Sequence, residues 1–467
     1  MSATAAPRAP CVLSATGMLG TGFSERSLLR GIELGAQAIG CDAGSSDPGP
    51  HFLGSGQLSR AVDATKRDLD CILRAGRAAD IPVAVGSAIN AGGDEQLRVA
   101  VRLVHEIATE HKLDIKLAVI HSELSREWMR DALRAGRVRA MPGVPELDEA
   151  TIDSSAHLVA QIGPEPYRRA FDAGANVVIA GRSSDAAIFA ALATRLGVAP
   201  GPAWHAGKVL ECGAAAAVKR VHPDCIIATY ADDAFTVELP NPAMACTELS
   251  VRAHGYYENA DPYQIHEPGG TIDTTQSVYR EIGGGRVRVE GSRFIPADRY
   301  EVRVEGSRFI GYRSIAIAGV SDPILLADLD TFLSTSQTQI VRKCEESLGM
   351  VHGKDFRLCV RRYGAADGQP SAGMTHTVGI VYEVVAGEQA RARAAVAVAV
   401  HTVLHHPVSG WEGFVSNLAI PFSPAVFDGG PVYEWSVNHL VTLDDPVAPF
   451  RIAGPRTITA EYDDAAW

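Results

Sequence analysis

The chain has 467 residues, which exceeds one typical domain and predicts about two to three domains. Hydrophobic residues make up 46% and charged residues 21%, as in ordinary globular proteins, so a large core is expected. The net charge of −12 and the scattered Lys and Arg residues argue against a nucleic-acid surface, and no apolar stretch is long enough to predict a membrane span.

The cysteines and the first residues predict a cytoplasmic protein. Eight cysteines are scattered along the chain without a CxxC pair, which is typical of reduced intracellular thiols rather than of a zinc ribbon or a disulfide framework. Met1 to Pro10 contains one arginine and no apolar core, so we expect a short tail and not a signal peptide.

The first half of the chain alternates short apolar runs with helical patterns. The predicted strands and helices, in chain order, are strand 11–16, helix 24–34, strand 36–41, helix 59–79, strand 82–87, helix 94–111, strand 116–120, helix 125–135, strand 138–141, strand 157–162, helix 164–173, strand 176–180 and helix 184–196. About seven βα units of this kind predict a parallel sheet covered on both faces, either doubly wound or barrel-like.

The second half of the chain has a different pattern of predicted secondary structure. After a helical segment at 206–218, residues 225–320 are rich in β-formers and contain the octapeptide Arg-Val-Glu-Gly-Ser-Arg-Phe-Ile twice, from Arg288 and from Arg303. A long helix from Asp322 to about Leu348, strands at 355–362 and 376–385, and a helix at 387–404 follow. We therefore predict a parallel α/β domain at 1–245 and an α+β domain with an antiparallel sheet at 246–467.

The loop Cys41-Asp-Ala-Gly-Ser-Ser-Asp-Pro-Gly-Pro50 follows a predicted buried strand. Ligands of parallel α/β proteins bind at the carboxyl ends of the strands. Asp42 and Asp47 are therefore candidate catalytic carboxylates, with Ser45 and Ser46 as candidate substrate ligands. The alternative is a solvated turn, which is also rich in Asp, Ser, Gly and Pro.

A second polar loop, Gly181-Arg182-Ser183-Ser184-Asp185, joins a predicted strand to a helix. Backbone N–H groups at a helix start and the fork of an arginine together favour a carboxylate or phosphate. Arg182, Ser183 and Asp185 are thus candidate substrate-binding residues. The alternative is simple capping, with the arginine paired to a neighbouring carboxylate.

Other strand ends contribute further candidates. His121 directly follows a predicted strand and is the candidate general acid, although a buried structural histidine is the alternative. Thr16, Asn90 and Gln161 are candidate substrate-binding residues in equivalent positions. Glu211-Cys212-Gly213 and His266-Glu267 could reach the same pocket, but His-Glu adjacency alone is weak evidence for a metal.

The cofactor is left open by the sequence. Gly17 to Gly22 joins a strand to a helix, but its glycines are spaced GxxGxG and not GxGxxG, so NAD(P) is not favoured. A divalent metal shared by Asp42 and Asp47 is an alternative that no complete motif supports.

Taken together, several motifs resemble the acyclic terpene utilisation family. The motifs are GMLGTGF, CDAGSSDPGP, GANVVIAGRSSDAAIFAAL, ECG at 211–213, HEPGG, RFIGYRSIAIAGVSDP and SNLAIPFSP. The resemblance implies a cytoplasmic, catabolic, two-domain protein without a settled reaction. Relatives commonly continue ECG with a glutamine and a glycine pair, whereas this chain has Ala214 to Ala217, which implies a different substrate.

Three hypotheses for the function follow. The first is an enzyme that acts on a small carboxylate or acyl-CoA thioester by acid/base chemistry, as a lyase, hydratase or isomerase, with Asp42 or Asp47 as base and His121 as acid. The second is a non-catalytic ligand-binding or scaffold subunit of a catabolic complex. The third is an NAD(P)-dependent dehydrogenase. A homo-oligomer or a small partner subunit is compatible with each, and nucleic acid or membrane partners are not expected.

Overall fold

The structure is a computed structural model that describes residues 8–220, 222–256, 259–364, 377–408, 410, 418–458 and 467. Two compact units are present: unit 1 comprises residues 1–308 and 435–467, and unit 2 comprises residues 309–434. The domain boundary predicted between residues 245 and 246 remains a prediction. Residues 1–7 of the predicted tail, residue 376 of a predicted strand and residues 416–417 of the SNLAIPFSP motif lie outside the described residues.

In chain order the strands are β1 Cys11–Ser14, β2 Ala38–Asp42, β3 Val83–Gly86, β4 Lys116–Ile120, β5 Val138–Ala140, β6 His157–Ala160, β7 Val177–Ala180, β8 Ile226–Ala231, β9 Ala234–Glu238, β10 Gln264–Glu267, β11 Gly270–Asp273, β12 Val278–Glu281, β13 Val287–Glu290, β14 Arg293–Pro296, β15 Tyr300–Val320, β16 Phe356–Tyr363, β17 Val378–Ala386, β18 Leu418–Ala419, β19 Val426–Leu443 and β20 Ile452–Thr457. The helices are α1 Glu25–Glu33, α2 Pro50–Ser55, α3 Val62–Ala78, α4 Asp94–His111, α5 Arg126–Arg134, α6 Glu149–Ser154, α7 Pro164–Asp172, α8 Asp185–Arg195, α9 Pro200–Leu210, α10 Glu248–Gly255, α11 Pro323–Ala327, α12 Leu329–Leu348 and α13 Gln389–Leu404, with a 3₁₀ turn at Gly213–Ala216.

The centre of unit 1 is a parallel sheet with the strand order β1-β2-β3-β7-β4. Antiparallel strands extend it on both sides, β8-β9-β13-β12 beyond β1 and β20 beyond β4. The five parallel strands are short apolar runs whose residues are almost all buried, as expected for strands covered on both faces. The mixed α/β class with parallel strands is therefore confirmed, and the sheet formed by the described strands is open.

Helices cover both faces of this sheet. Helices α1, α3 and α4 pack on one face, in a core with Leu28, Ile72 and Val101. Helices α7, α8 and α9 pack on the other face. Helix α8 is buried along Ala186 to Ala193, and the ring of Phe189 lies where a side chain at Gly40 would be. Because small residues let α8 pack closely on the sheet, its first turn is held at the sheet centre.

Two predicted strands do not join the parallel series. Strand β6 pairs antiparallel with the start of β15, where Val159 lies opposite Glu305, and β5 pairs antiparallel with the end of β19. Strand β5 is only three residues long, and its central Arg139 is exposed, so it is unsuited to a position buried on both faces. The predicted series of about seven βα units is not confirmed.

Unit 2 contains an antiparallel sheet covered by helices. Strand β17 pairs antiparallel with β15 and with β16, as in the register of Ile317 with Val381. Helices α12 and α13 contribute Phe332, Ile340 and Val396 to its core. Helix α12 ends where Gly349 adopts a φ of 62°, which a glycine tolerates without strain. An antiparallel sheet in the second half of the chain was predicted and is confirmed.

The two copies of the octapeptide have different structures. The copy from Arg288 runs from β13 through a turn into β14, and Gly291 in the turn has a φ of 78°. The copy from Arg303 is continuous strand within β15. There, Gly306 packs so closely on Leu158 and Val437 that a Cβ atom would lie 2.7 Å and 2.9 Å from them. The same eight residues therefore form a turn in one context and a strand in the other.

Candidate functional site

The loop after β2 is fixed by hydrogen bonds among its own residues. Asp42 is buried, and its Oδ1 accepts a hydrogen bond from the N–H of Gly44 at 3.1 Å. The Oγ of Ser45 accepts one from the N–H of Asp47 at 3.2 Å. Gly44 has a φ of 147° and lies against the backbone of Asn90, where a Cβ atom would be 2.3 Å from its Cα. Only glycine fits this contact between two strand-end loops.

The loop after β3 has an unusual backbone. Ser87, Ile89 and Asn90 have φ values of 51°, 45° and 103°, and β-branched Ile89 is rarely found in this region. The N–H of Asn90 donates to the carbonyl of Ala43 at 3.1 Å, which ties this loop to the one after β2. Non-glycine residues with positive φ cost free energy and cluster at functional sites. This loop is therefore a candidate part of the site on geometry alone.

Arg182, after β7, lies at the centre of a buried polar network. Its Nε donates to Glu305 at 2.9 Å, and its Nη1 donates to Asp185 at 3.2 Å and to the Oγ of Ser87 at 3.1 Å. Glu305 also accepts a hydrogen bond from the Oγ of Ser46 at 2.8 Å. Burial lowers the pKa of Arg182, but Glu305 and Asp185 outweigh it, so the net shift is upward and the guanidinium stays charged.

A second cluster joins a lysine to carboxylates. The Nζ of Lys208 donates to Glu211 at 2.5 Å, and the Oγ of Ser184 donates to Glu267 at 2.5 Å. Burial raises the pKa of Glu211 to about 8 against the opposing effect of Lys208, and Asp185 and Glu267 add to the rise. Burial likewise raises the pKa of Glu267 to about 7, against the hydrogen bond from Ser184 and the charge of Lys208. Two carboxyl groups thus titrate near neutral pH.

Both networks face one cavity of about 790 Å³ in unit 1, which we call the polar cavity. Its polar lining residues are Asp47, Arg139, Gln161, Arg182, Ser184, Asp185, Lys208, Glu211, Asn259, His266, Glu267, Thr271, Arg299, Glu301 and Arg303. Lys208, Asp185, Glu211 and Glu267 come from α8, β10 and the end of α9, whereas Arg139, Arg299 and Arg303 come from other strands and a loop. Its volume is within the range of small-molecule sites.

The structure brings most of the predicted site residues to this region. Asp47, Gln161, Arg182 and Asp185 line the polar cavity. Ser46 does not line the cavity but hydrogen-bonds Glu305, which in turn pairs with Arg182. Further residues of the same loops are buried around it, namely Asp42, Ser45, Asn90 and Ser183. Burial raises the pKa of Asp42 well above its usual range, and the nearby Asp185 adds to this shift.

His121 and Thr16 are placed elsewhere. The Nδ1 of His121 lies 2.8 Å from Asp94, and its ring also contacts Arg451. The next residue, Ser122, accepts a hydrogen bond from the N–H of Arg182 at 2.7 Å. Consecutive extended residues point in opposite directions, so Ser122 faces the Arg182 loop and His121 does not. Thr16 lines a different cavity, together with Cys212.

The glycine-rich turn after β1 holds a carboxylate of the chain itself. The Oδ2 of buried Asp68 accepts hydrogen bonds from the N–H groups of Gly20 at 2.8 Å and Gly22 at 2.9 Å. These amides are therefore occupied, and the negative charge of Asp68 would repel a phosphate. The local structure of this turn argues against a dinucleotide site there.

Residues 67–219 match the family model of the acyclic terpene utilisation family protein AtuA. The predicted resemblance to this family is thus confirmed over a segment that includes Arg182, Lys208 and Glu211. No curated protein and no solved structure matches the chain. In the described residues, no helix is long and apolar enough to cross a membrane.

Several residues of this candidate site could not be found by sequence reasoning. Lys208 and Glu305 carry no local signal, because one lies within a helix and the other within a strand. Glu211 and Glu267 lie in the ECG and HEPGG motifs, which the sequence predicts near the pocket without giving either glutamate a role. Among the described residues, no group of three His, Cys, Asp or Glu side chains could hold a metal ion, so the motif at His266 is not part of such a group.

Proposed function

We propose that this chain is an enzyme that acts on a small carboxylate or an acyl-CoA thioester by proton transfer, as a lyase, hydratase or isomerase of acyclic terpene utilisation. The match to the AtuA family supports the metabolic setting. The observation that carries the chemistry is the pair Glu211 and Glu267, whose pKa values lie near 8 and 7 beside Lys208 in one cavity. General acid/base catalysis is most effective when the pKa values of the catalytic groups lie near the working pH.

In this proposal, one carboxyl group accepts a proton from the substrate and the other donates a proton to it. Glu267 has the lower pKa and serves as the base that removes a proton next to the substrate carbonyl. Glu211 has the higher pKa and, with the ammonium group of Lys208 2.5 Å away, delivers a proton to the leaving or carbonyl oxygen. Because Lys208 and Glu211 are buried, the positive charge of Lys208 is weakly screened and stabilises negative charge that develops on the substrate oxygen.

The carboxylates predicted from the sequence have supporting roles in this proposal. Asp47 lines the polar cavity and is available to the substrate or to a water molecule. Asp42 lies beneath the loop, and its raised pKa favours a neutral carboxyl group that orients the loop through Gly44. Arg182 is engaged with Glu305 and Asp185, so it positions these loops and is not free to anchor a substrate.

The arginines of the polar cavity suit the anionic part of such a substrate. Arg139 pairs with Glu301, and Arg303 donates to Asn438 and lies near Glu305. Arg299 is exposed and forms no ion pair among the described residues. It is therefore the arginine with the most donor capacity left for a carboxylate or a phosphate.

We expect Arg299→Ala to weaken binding of an anionic substrate by about three- to tenfold, because one solvent-exposed ion pair contributes about 1 kcal/mol. The change is measured as an increase in Kd by calorimetry. Arg26→Ala removes an exposed arginine away from the cavity and is the matched control. Equal affinities of the two variants would argue against this role of Arg299.

The proposal is tested by proton exchange. The chain is incubated in deuterium oxide with candidate short-chain acids and their CoA thioesters, and deuterium at the carbon next to the carbonyl is followed by NMR. Deuterium incorporation into one class of compound would support the proposed enzyme activity. Saturable binding without exchange or turnover would instead support the non-catalytic ligand-binding subunit.

The rate of this exchange should depend on pH as a bell-shaped curve. It rises as Glu267 loses its proton near pH 7 and falls as Glu211 loses its proton near pH 8, each limb changing about tenfold per pH unit. The two groups interact, so the apparent values belong to the pair. A rate that is constant between pH 5 and pH 9, measured on the same substrate, would exclude this pair as the acid and base.

A further inference from the structure

A second cavity in unit 1 lies next to the polar cavity and differs from it in charge. It has a volume of about 620 Å³ and is bounded by the turn after β1, the 3₁₀ turn and helix α10. The chain links the two cavities directly, because Glu211 lines the polar cavity and the adjacent Cys212 lines this one. We call it the apolar cavity.

The walls of the apolar cavity are mostly hydrocarbon. Met18, Ala214, Ala215, Pro223 and Ala253 contribute apolar side chains. No acidic side chain is found among the described residues that line it. His254 lies in the wall, and burial lowers its pKa to about 4, with Lys208 and Arg220 adding to the shift, so its imidazole is neutral at pH 7. The exposed guanidinium of Arg220 therefore supplies the charge at this cavity.

The cavity is preformed because hydrogen bonds and close backbone packing fix the segments that form its walls. Asp68 fixes the turn after β1 through Gly20 and Gly22, as described above. Gly17 lies directly on the backbone of Cys212, where a Cβ atom would be 2.3 Å from the carbonyl carbon. Helix α10 begins with a capping box in which Thr247 and Ser250 exchange hydrogen bonds. A rigid concave surface lowers the entropic cost of binding.

One polar group in the wall has spare hydrogen-bonding capacity. Thr16 is fully buried, and the hydrogen bond of its Oγ1 to the carbonyl of Met18 is 3.5 Å long, at the limit of a real interaction. Buried hydroxyl groups normally form good hydrogen bonds. The hydroxyl of Thr16 is therefore weakly hydrogen-bonded, although its side chain has no exposed surface in this structure.

We propose that the apolar cavity is a separate binding site for a small amphiphilic anion, with a hydrocarbon body against the alanines and Met18 and an acidic group at Arg220. Small-molecule sites typically combine apolar walls with a few polar groups in a cavity of this size. The polar cavity, in contrast, is lined largely by charged side chains. This inference does not depend on the proposed enzyme activity.

The test uses decanoate as the probe and isothermal titration calorimetry on the full chain. We expect saturable binding of one decanoate per chain. Ala253 is exposed on α10 and lines the cavity, so Ala253→Trp should fill the space without disturbing the core and should weaken binding at least about tenfold. Ala78→Trp places the same side chain at an exposed helical position of α3 and should bind decanoate like the parent chain.

Two further measurements separate the parts of the proposal. Arg220→Gln should weaken binding of decanoate about fivefold and leave binding of the uncharged decanol unchanged, since only the ion pair is lost. Ala297→Trp narrows the polar cavity and should leave decanoate binding intact. Absence of saturable binding to the parent chain, or loss of binding in Ala297→Trp but not in Ala253→Trp, would overturn the assignment. Neither result depends on proton exchange, so failure here is distinct from failure of the proposed function.

Discussion

Glu211→Gln should lower the rate of proton exchange by about 10²- to 10⁴-fold, the range expected when a general acid or base is removed. The amide keeps the shape of the side chain and can still accept a hydrogen bond from Lys208, but it cannot deliver a proton. KM should change little, because Glu211 contributes a proton and not a substrate contact. The rate is measured by deuterium incorporation at saturating substrate.

The control for Glu211→Gln is Glu127→Gln, which makes the same chemical change at an exposed position of α5. Melting temperatures of the variants, followed by circular dichroism, establish that the fold is intact. Glu267→Gln should reduce the rate to a similar extent and remove the rising limb of the pH profile. If Glu211→Gln retained the parent rate, the assignment of the acid would be wrong whatever the substrate.

Arg182→Ala should destabilise unit 1 by about 3–5 kcal/mol, because it leaves the buried carboxylate of Glu305 without its closest cation and removes the partner of Asp185. The side chains of Arg182 and Glu305 are 5% and 2% exposed, so water cannot replace the lost partner. Ser87, which hydrogen-bonds Arg182, also belongs to the strained loop after β3. Urea unfolding followed by circular dichroism gives the change in the free energy of unfolding.

The matched control for Arg182→Ala is Arg134→Ala. Arg134 pairs with Glu149 on the surface, with side chains 59% and 46% exposed, and such pairs contribute at most about 1 kcal/mol. A double variant, Arg182→Met with Glu305→Leu, should recover part of the lost stability because it removes both members of a buried pair. A loss from Arg182→Ala no greater than that from Arg134→Ala would show that the network does not stabilise the loops.

The sequence allowed us to predict which loops lie near one another, because strand ends in a parallel sheet converge. Asp42 and Arg182 are far apart in the chain, but β2 and β7 are separated by β3 alone in the sheet. Their loops therefore meet, as the short apolar strands and polar loops predicted. The same argument did not place His121 correctly. The argument predicts where a strand ends, but it does not predict the direction in which each side chain at that end points.

The remaining parts of the site depend on pairings between distant segments. Glu305 reaches Arg182 because β6 leaves the parallel series and pairs with β15. Glu267 reaches Ser184 from β10, which forms a small antiparallel sheet with β11 and β14. Neither pairing leaves a periodic signal in the local sequence, so composition and spacing could not predict them.

The repeated octapeptide shows how far the surroundings determine the chemistry of a residue. Its third position is Glu290 in one copy and Glu305 in the other, with identical neighbours over eight residues. Glu290 lies at the surface beside Arg288, whereas Glu305 is buried and pairs with Arg182. A synthetic octapeptide would therefore have the ionisation behaviour of neither site, and an antibody raised against it should recognise the folded protein through the outer copy alone.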